Sequence, residues 1–387
     1  MTSTARSGRN DAGDGRPQRT PVAARSVTVA DLIDGRSPGF DALRLILAFL
    51  VLVSHTWPLG GFGPEPSSPL APHYLTLGGF AVAGFFAMSG MLVGRSAARR
   101  PFGAFTRARA LRIVPGYAVA VACSALPVAM LAWVHEHGGL SGFFSTGPDG
   151  PIGYIGRALV FPTEMSYNVR GVFASSTPYG TATGESFVNG SLWTLPYELR
   201  CYVVVGLLGL VIHRWGERRT VTVAWALTGV LAVGYHQVPE LTGFVVGSLA
   251  DKTLVMLLFV FLSGTLAGAF ADHIRLLGWM PLAALTVALV GGRTSLFLSE
   301  HLGGAALALA LPPVAFALAP IGARLRGVDL SYGLYLYAWP VQQLLAMYDV
   351  TDRAAVFVLI ATVITLVLAA GSWYGVERPA VRRWRAR

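Results

Sequence analysis

Long apolar runs alternate with short polar segments along most of the chain. About ten of these runs are long enough, as helices, to cross a hydrocarbon core of about 30 Å. They cover approximately 41–60, 76–95, 112–134, 191–213, 220–236, 252–271, 276–292, 302–320, 330–348 and 354–375. The pattern predicts an all-α, polytopic membrane protein in which residues 39–380 form one membrane domain.

The distribution of arginine predicts how these helices are oriented. Arginines are concentrated in alternate loops and in both terminal segments, at 95–112, 213–219, 275, 324–326 and 382–387 and in the first 38 residues. Loops rich in Lys and Arg stay in the cytoplasm, so both termini are predicted to be cytoplasmic. Residues 1–38 lack the apolar core of a signal peptide and are expected to be a disordered, basic cytosolic tail. Residues 381–387 are expected to be a second basic tail.

One long segment, 135–190, falls on the predicted outer side. It is rich in Gly, Pro, Ser and Thr, and it also carries the aromatic residues Phe143, Phe144, Tyr154, Phe161, Tyr167 and Tyr179. Long loops in compact proteins are usually functional or disordered, and the scattered aromatics favour a folded cap. Such aromatics can stack on sugars or simply lie at the membrane interface, and the sequence leaves both roles open.

The composition agrees with a membrane protein and argues against other classes. Hydrophobic residues make up 53% of the 387 residues and charged residues only 13%, which is too apolar for an ordinary soluble domain. The net charge of +10 does not indicate a nucleic-acid partner, because the basic residues lie in loops between apolar runs. Cys123 and Cys201 both fall in apolar runs, and no Walker P-loop or HExxH motif occurs, so no metal site is expected.

Ionisable residues inside the apolar runs are the candidates for chemistry, because burying such a group in lipid costs several kcal/mol. Arg44 and His55 are eleven residues apart in the first run, which places them on one helical face roughly 16 Å apart. The other histidines fall at predicted helix ends or in loops. His55 is therefore the main candidate for a catalytic residue, with a packing role as the alternative.

Glu198 is the candidate partner of His55. It lies in the fourth run, and if that helix begins near Asn189 at the outer surface, Glu198 reaches a depth comparable with His55. A carboxylate beside a histidine is a common arrangement for a general base. Tyr202 follows by four residues and is expected to hold the carboxylate. A structural ion pair for Glu198, and snorkelling of Arg44 to the inner interface, remain as alternatives.

Four segments resemble elements of the acyltransferase-3 family of bacterial integral membrane acyltransferases. They are 40–44 (FDALR) followed by His55, 84–90 (GFFAMSG), 191–198 (SLWTLPYE) with Tyr202, and 331–335 (SYGLY) with Trp339-Pro340 and 377–379 (ERP). The ordered set spans about 38–380. Many relatives have a histidine where this chain has Ala338, which weakens a catalytic role for that helix. The chain also lacks the appended soluble domain of some relatives, which suggests a stand-alone enzyme.

The resemblance implies transfer of an acyl group, acetyl by family habit, from cytosolic acyl-CoA to a hydroxyl of a carbohydrate or glycosylated acceptor. His55, Glu198 and Arg44 would then be catalytic, with His55 acting as a base or carrying the acyl group. Arg44, Arg107, Arg109 and Arg112 would bind the phosphates of the donor. Substrate binding or support would fall to residues of the matching segments: Asp41, Ser89, Ser191, Trp193, Tyr202, Ser331 and Tyr332. The implied location is the bacterial inner membrane, with the lipid bilayer as a partner.

A transporter or flippase for a glycan, lipid or metabolite is the alternative interpretation. Ten helices with buried charges fit that class as well, although transporters often contain two related halves and no repeat is evident here. A non-catalytic scaffold fits less well, because it does not explain an ionisable stripe across the membrane. Acceptor-dependent release of CoA from acetyl-CoA would distinguish an enzyme from both.

The predicted topology can be tested with reporter fusions. A fusion at residue 160 and a fusion at the C terminus should report opposite sides of the membrane, because the arginine-rich loops alternate with arginine-poor ones. Signals from the same side would contradict the count of ten helices.

Overall fold

The fold is a bundle of helices. The computed structural model describes residues 27–67, 76–160, 167–246, 250–294, 298–325 and 327–385, and within these ranges every regular element is helical, with one isolated bridge between Thr28 and Arg275. The α-helices are α1 (Val29–Asp34), α2 (Gly39–Gly60), α3 (Leu77–Arg99), α4 (Phe102–Cys123), α5 (Ala129–His137), α6 (Pro151–Val160), α7 (Pro178–Thr183), α8 (Thr194–Trp215), α9 (Glu217–Gln237), α10 (Pro239–Val246), α11 (Lys252–Ala269), α12 (Met280–Thr294), α13 (Gly304–Arg324), α14 (Ser331–Met347), α15 (Ala354–Ser372) and α16 (Arg378–Arg385). A 3₁₀ turn, Gly190–Trp193, precedes α8, and π-helical turns occupy Ser124–Val128, Leu298–Gly303 and Trp373–Glu377.

All ten predicted apolar runs coincide with helices. Among the described residues, seven helical segments are long and apolar enough to cross a membrane: Gly39–Gly60, Leu77–Arg99, Phe102–His137, Gly190–Trp215, Lys252–Ala269, His301–Arg324 and Ala354–Arg382. Helices α9, α12 and α14 match the remaining runs but are shorter or less apolar. An all-helical, multi-pass membrane protein is thereby confirmed, while the count of ten spans and the sides of the termini stay predictions.

The predicted N-terminal tail is ordered over its last part. Residues 1–26 lie outside the described residues, but α1 packs its Val29 and Leu32 into the core. A capping box, in which Thr28 and Asp31 bond each other's backbone, starts this helix, as expected for that spacing. Disorder throughout 1–38 is therefore wrong for residues 27–38. At the other end, α16 extends as a helix to Arg385, into the segment predicted as a tail.

Helices α3 and α11 cross closely because glycines remove side chains from their contact. A Cβ at Gly90 would lie 1.8 Å from the Phe261 carbonyl oxygen, and one at Gly264 would lie 1.8 Å from the Ala87 carbonyl oxygen. The Thr265 hydroxyl donates to the Gly90 carbonyl at 3.1 Å across this crossing. Close approach of this kind is the usual role of paired small residues in membrane helices. The crossing fixes the segment 84–90, which carries Ser89.

The segment predicted as a cap is folded in its described part. Phe143, Tyr154 and Phe173 are fully buried, and Glu136 accepts hydrogen bonds from the Phe173 backbone (2.9 Å) and the Ser176 hydroxyl. Phe161 lies outside the described residues. The backbone carbonyl of Phe187 accepts hydrogen bonds from two side chains of α14, namely Trp339 at 3.0 Å and Gln343 at 2.9 Å. The cap is thus attached to α14 at the end where His55 lies.

Candidate active site

Within the described part of the chain, α2 lines two cavities of the bundle. The larger, of about 870 Å³, is lined by Arg36, Asp41, Arg44, Arg100, Arg109, Arg112, Glu198 and other residues; we call it the arginine cavity. The smaller, of about 420 Å³, is lined by His55, Ser54, Glu65, Thr76, Trp193 and others; we call it the histidine cavity. Val82 and Tyr335 line both cavities, so these two side chains lie at the boundary between them.

The histidine cavity holds His55 against an aromatic wall. The His55 ring contacts the edge of the Trp339 ring at 4.8 Å between centroids, with an interplanar angle of 78°. The His55 Nδ1 atom is buried and has no hydrogen-bond partner among the described residues. Next to it on α2, Thr56 and the Leu52 carbonyl accept hydrogen bonds from the Gln342 amide at 2.8 and 2.9 Å. These bonds tie α14 to α2 and hold His55 in place, while leaving one imidazole nitrogen uncommitted.

Glu198 and His55 are not joined by a hydrogen bond. Both lie in the described part of the chain, yet no hydrogen bond joins them, and Glu198 lines the arginine cavity. The predicted pairing is therefore wrong. The depth estimate took Asn189 as a surface residue, whereas Asn189 is fully buried under the cap and donates to the Leu336 carbonyl at 2.9 Å. The assumption that α8 begins at the outer surface therefore does not hold, and Glu198 lines the arginine cavity rather than the cavity of His55.

The other predicted contact of Glu198 is present. The Tyr202 hydroxyl donates to Glu198 Oε1, and the Ser89 hydroxyl donates to the same oxygen at 3.4 Å. Two of the four segments that resembled family motifs, on α3 and α8, therefore meet at one carboxylate. These two hydrogen bonds hold the carboxyl group of Glu198 in a fixed position on the wall of the arginine cavity.

Of the four arginines predicted as donor ligands, three line the arginine cavity and one does not. Arg44 lines the arginine cavity beside Asp41, at 3.1 Å. Arg109 lines it too, and its Nε is buried without a partner. Arg107 is exposed and does not line the cavity. Arg100, from the arginine-rich segment 95–112, does line it. Arg36 lines it as well, although it lay in the segment expected to be disordered and was not predicted as a donor ligand.

Arg112 is engaged with two carboxylates. Its guanidinium lies 2.5 Å from Asp329 and 3.0 Å from Glu377, and it lies over the Tyr332 ring at 5.4 Å. Glu377 is buried and also accepts a bond from the Ser372 hydroxyl at 2.9 Å. Both carboxylates belong to the protein itself, so the charge of Arg112 is balanced without a ligand. The two ion pairs join α4 to the start of α14 and to the turn after α15.

The remaining predicted residues support the two cavities. The Ser331 hydroxyl donates to Asp329 at 2.5 Å, and the Tyr332 hydroxyl donates to the Ile113 carbonyl at 2.9 Å. Trp193 lines the histidine cavity, whereas Ser191 is fully buried and its hydroxyl has no partner. Thr194 and Tyr335 share a hydrogen bond of 2.6 Å at the boundary between the cavities.

Comparisons with known proteins identify the family. The model of the family-3 acyltransferase domain matches residues 37–374. An O-acetyl transferase of Shigella phage Sf6 is 36% identical over 180 residues, which is 44% of this chain and 46% of the relative. Nodulation protein 10 of Rhizobium leguminosarum bv. viciae is 28% identical over 368 residues, covering 90% of this chain and 94% of the relative. No solved structure matches.

The chain therefore belongs to the acyltransferase-3 family, and it is an acyltransferase. The resemblance drawn from the four sequence segments is confirmed, and the alternative of a transporter or flippase is set aside. The aligned part of the chain covers less than half the length of the phage relative. Among the described residues, no cluster of three His, Cys, Asp or Glu side chains is arranged to hold a metal ion.

The balance of charge around Arg112 yields a prediction. Arg112→Ala leaves Asp329 and Glu377 unpaired, and removing one partner of such a buried group costs about 3–5 kcal/mol. We expect a clearly lower melting temperature for the purified protein in detergent, while Arg107→Ala, an exposed control, should melt like wild type. Adding Asp329→Asn and Glu377→Gln should restore most of the loss, because the effects of coupled residues are not additive. A triple variant no more stable than Arg112→Ala would contradict the ion-pair role.

Proposed function

We propose that the protein is an O-acyltransferase that binds acyl-CoA in the arginine cavity and acylates a hydroxyl of an acceptor in the histidine cavity. The observation that carries this proposal is a pair of adjoining cavities. Arginines line one, His55 lines the other, and Val82 and Tyr335 line both. One cavity suits a polyanionic donor and the other contains the histidine. Family membership supports the acyl group as the one transferred.

Unpaired arginines support an anionic donor. Arg36, Arg100 and Arg109 line the arginine cavity and form no ion pair with another described residue. A guanidinium is a good partner for phosphate because it donates two parallel hydrogen bonds. CoA carries several phosphates, so these arginines would hold its nucleotide end while the thioester extends towards Tyr335.

His55 supplies the acid–base chemistry in this proposal. The imidazole takes the proton of the acceptor hydroxyl while the oxygen attacks the thioester carbonyl carbon. The carbon–sulfur bond then breaks, and CoA leaves as a thiolate that receives the proton from the imidazolium. An acyl-histidine intermediate is the second route, in which an imidazole nitrogen attacks the thioester first. We favour direct transfer.

The phage relative named an O-acetyl transferase supports oxygen as the acceptor atom and acetyl as the acyl group. The positive-inside rule supports a bacterial inner-membrane location in which the arginine cavity opens to the cytoplasm and the histidine cavity to the outside. Donor and acceptor would then reach the boundary residues from opposite sides. A carbohydrate or glycosylated acceptor follows from the family resemblance.

Replacing His55 tests the mechanism. A positioned general base typically contributes ~10²–10⁴-fold in rate, so His55→Gln should lower turnover of acetyl-CoA by at least about 100-fold. Binding of acetyl-CoA should stay near wild type, because His55 does not line the arginine cavity. His213→Gln, a change at an exposed histidine, is the matched control. Normal acyl transfer by His55→Gln would refute the mechanism. Acyl mass on the peptide containing His55, after incubation without acceptor, would instead favour the two-step route.

Replacing cavity arginines tests the donor site. Arg44→Ala and Arg109→Ala should each weaken equilibrium binding of acetyl-CoA by roughly tenfold or more, because a hydrogen bond to a charged group contributes about 1.5–3 kcal/mol. Arg107→Ala removes the same charge outside the cavity and should leave the dissociation constant unchanged. Equal, small effects for all three variants would mean that only overall charge matters, and would remove both residues from the donor site.

A further inference from the structure

The histidine cavity carries a carboxylate that has no part in the proposed acyl transfer. Glu65 lies in the loop after α2 and is the one acidic side chain among the described residues that line this cavity. It is 9% exposed. No lysine or arginine is among those lining residues, so the described part of the cavity that contains His55 has a carboxylate and no lysine or arginine to balance it.

One oxygen of Glu65 has a structural partner. Glu65 Oε1 accepts a hydrogen bond from the Leu77 backbone at 2.7 Å, which ties the loop to the start of α3. The same helix start is capped independently, because the Thr76 hydroxyl accepts from the Gly79 backbone at 2.9 Å. No described residue hydrogen-bonds Glu65 Oε2. A capping role therefore accounts for one oxygen and leaves the other for a ligand in the cavity.

We propose that Glu65 is the specificity-determining residue of the acceptor site, and that it selects an uncharged or amine-bearing glycoside over one that carries a carboxylate or phosphate. A carboxylate accepts hydrogen bonds from sugar hydroxyls or from an ammonium group. It repels a second anion, and like charges brought together in a desolvated site strongly oppose binding. This proposal rests on the acceptor site assigned to the histidine cavity above.

The rest of the cavity agrees with such a ligand. Trp193 presents a half-buried ring to it, and Ser54 and Thr76 add hydroxyl groups. Aromatic rings with a few placed polar groups are typical of small-molecule sites, and the volume of about 420 Å³ is at the lower end of their range. The cavity therefore accommodates a small part of the acceptor around the reacting hydroxyl. The two cavities then sort the substrates by charge: the arginines attract the anionic donor and Glu65 disfavours an anionic acceptor.

A competition assay tests this selectivity. The purified full-length protein in detergent is given acetyl-CoA and an equimolar mixture of methyl glucoside, methyl glucosaminide and methyl glucuronide, and O-acetylated products are quantified by mass spectrometry. Wild type should acetylate the neutral and amino glycosides at least about tenfold faster than the glucuronide. Glu65→Gln keeps an oxygen for the Leu77 backbone but removes the charge, so the preference over glucuronide should fall by about tenfold. Glu185→Gln, a change at an exposed carboxylate of the cap, should retain it.

The outcomes separate this proposal from the one before it. An unchanged preference in Glu65→Gln would show that Glu65 only caps α3, and a wild-type enzyme that prefers glucuronide would overturn the selectivity outright. If none of the glycosides is acetylated while a membrane extract still triggers CoA release, the glycoside class is wrong but acyl transfer stands. If neither the glycosides nor the membrane extract receives an acetyl group from acetyl-CoA, the proposed function itself fails.

Discussion

An ionised side chain inside a bundle of apolar helices is stable only if it is paired or faces a cavity that water or a ligand can enter. This constraint organises the protein. Arg112 is paired with Asp329 and Glu377, and so joins three parts of the bundle. Arg109, by contrast, has no carboxylate partner and lines the large cavity. The unpaired guanidiniums are the groups that we propose to bind an anionic donor.

The helix α2 links the two halves of the reaction that we propose. Its Arg44 lines one cavity and its His55 lines the other, from a single continuous helix. Because a helix is stiff, the separation between these groups is fixed by sequence spacing rather than by loops. The hydrogen bonds from Gln342 hold α2 against α14 beside His55. The position of the histidine is therefore fixed by packing between two helices.

Sequence reasoning predicted those features that depend on local spacing. The stripe shared by Arg44 and His55, the bond from Tyr202 to Glu198 and the folded cap each follow from periodicity or composition. The predicted contact between Glu198 and His55 was wrong. It assumed that Asn189 lies at the outer surface, whereas the cap buries this residue. Arg36 and Glu65 were missed as cavity residues, because each reaches a cavity from outside the long apolar runs. The Thr28–Asp31 capping box was a readable signal for α1.

The boundary formed by Val82 and Tyr335 has an electrical consequence. If the two cavities open to opposite sides, as the arginine distribution predicts, both fill with conducting solution when empty. The membrane voltage then falls mainly across the thin layer of protein between them, rather than across the whole bilayer, at about 2.3 kcal/mol per unit charge for each 100 mV. The hydrogen bond between Thr194 and Tyr335 lies in that layer. The protein must therefore keep this layer closed to ions during turnover. This requirement is electrical and is separate from the chemistry of acyl transfer.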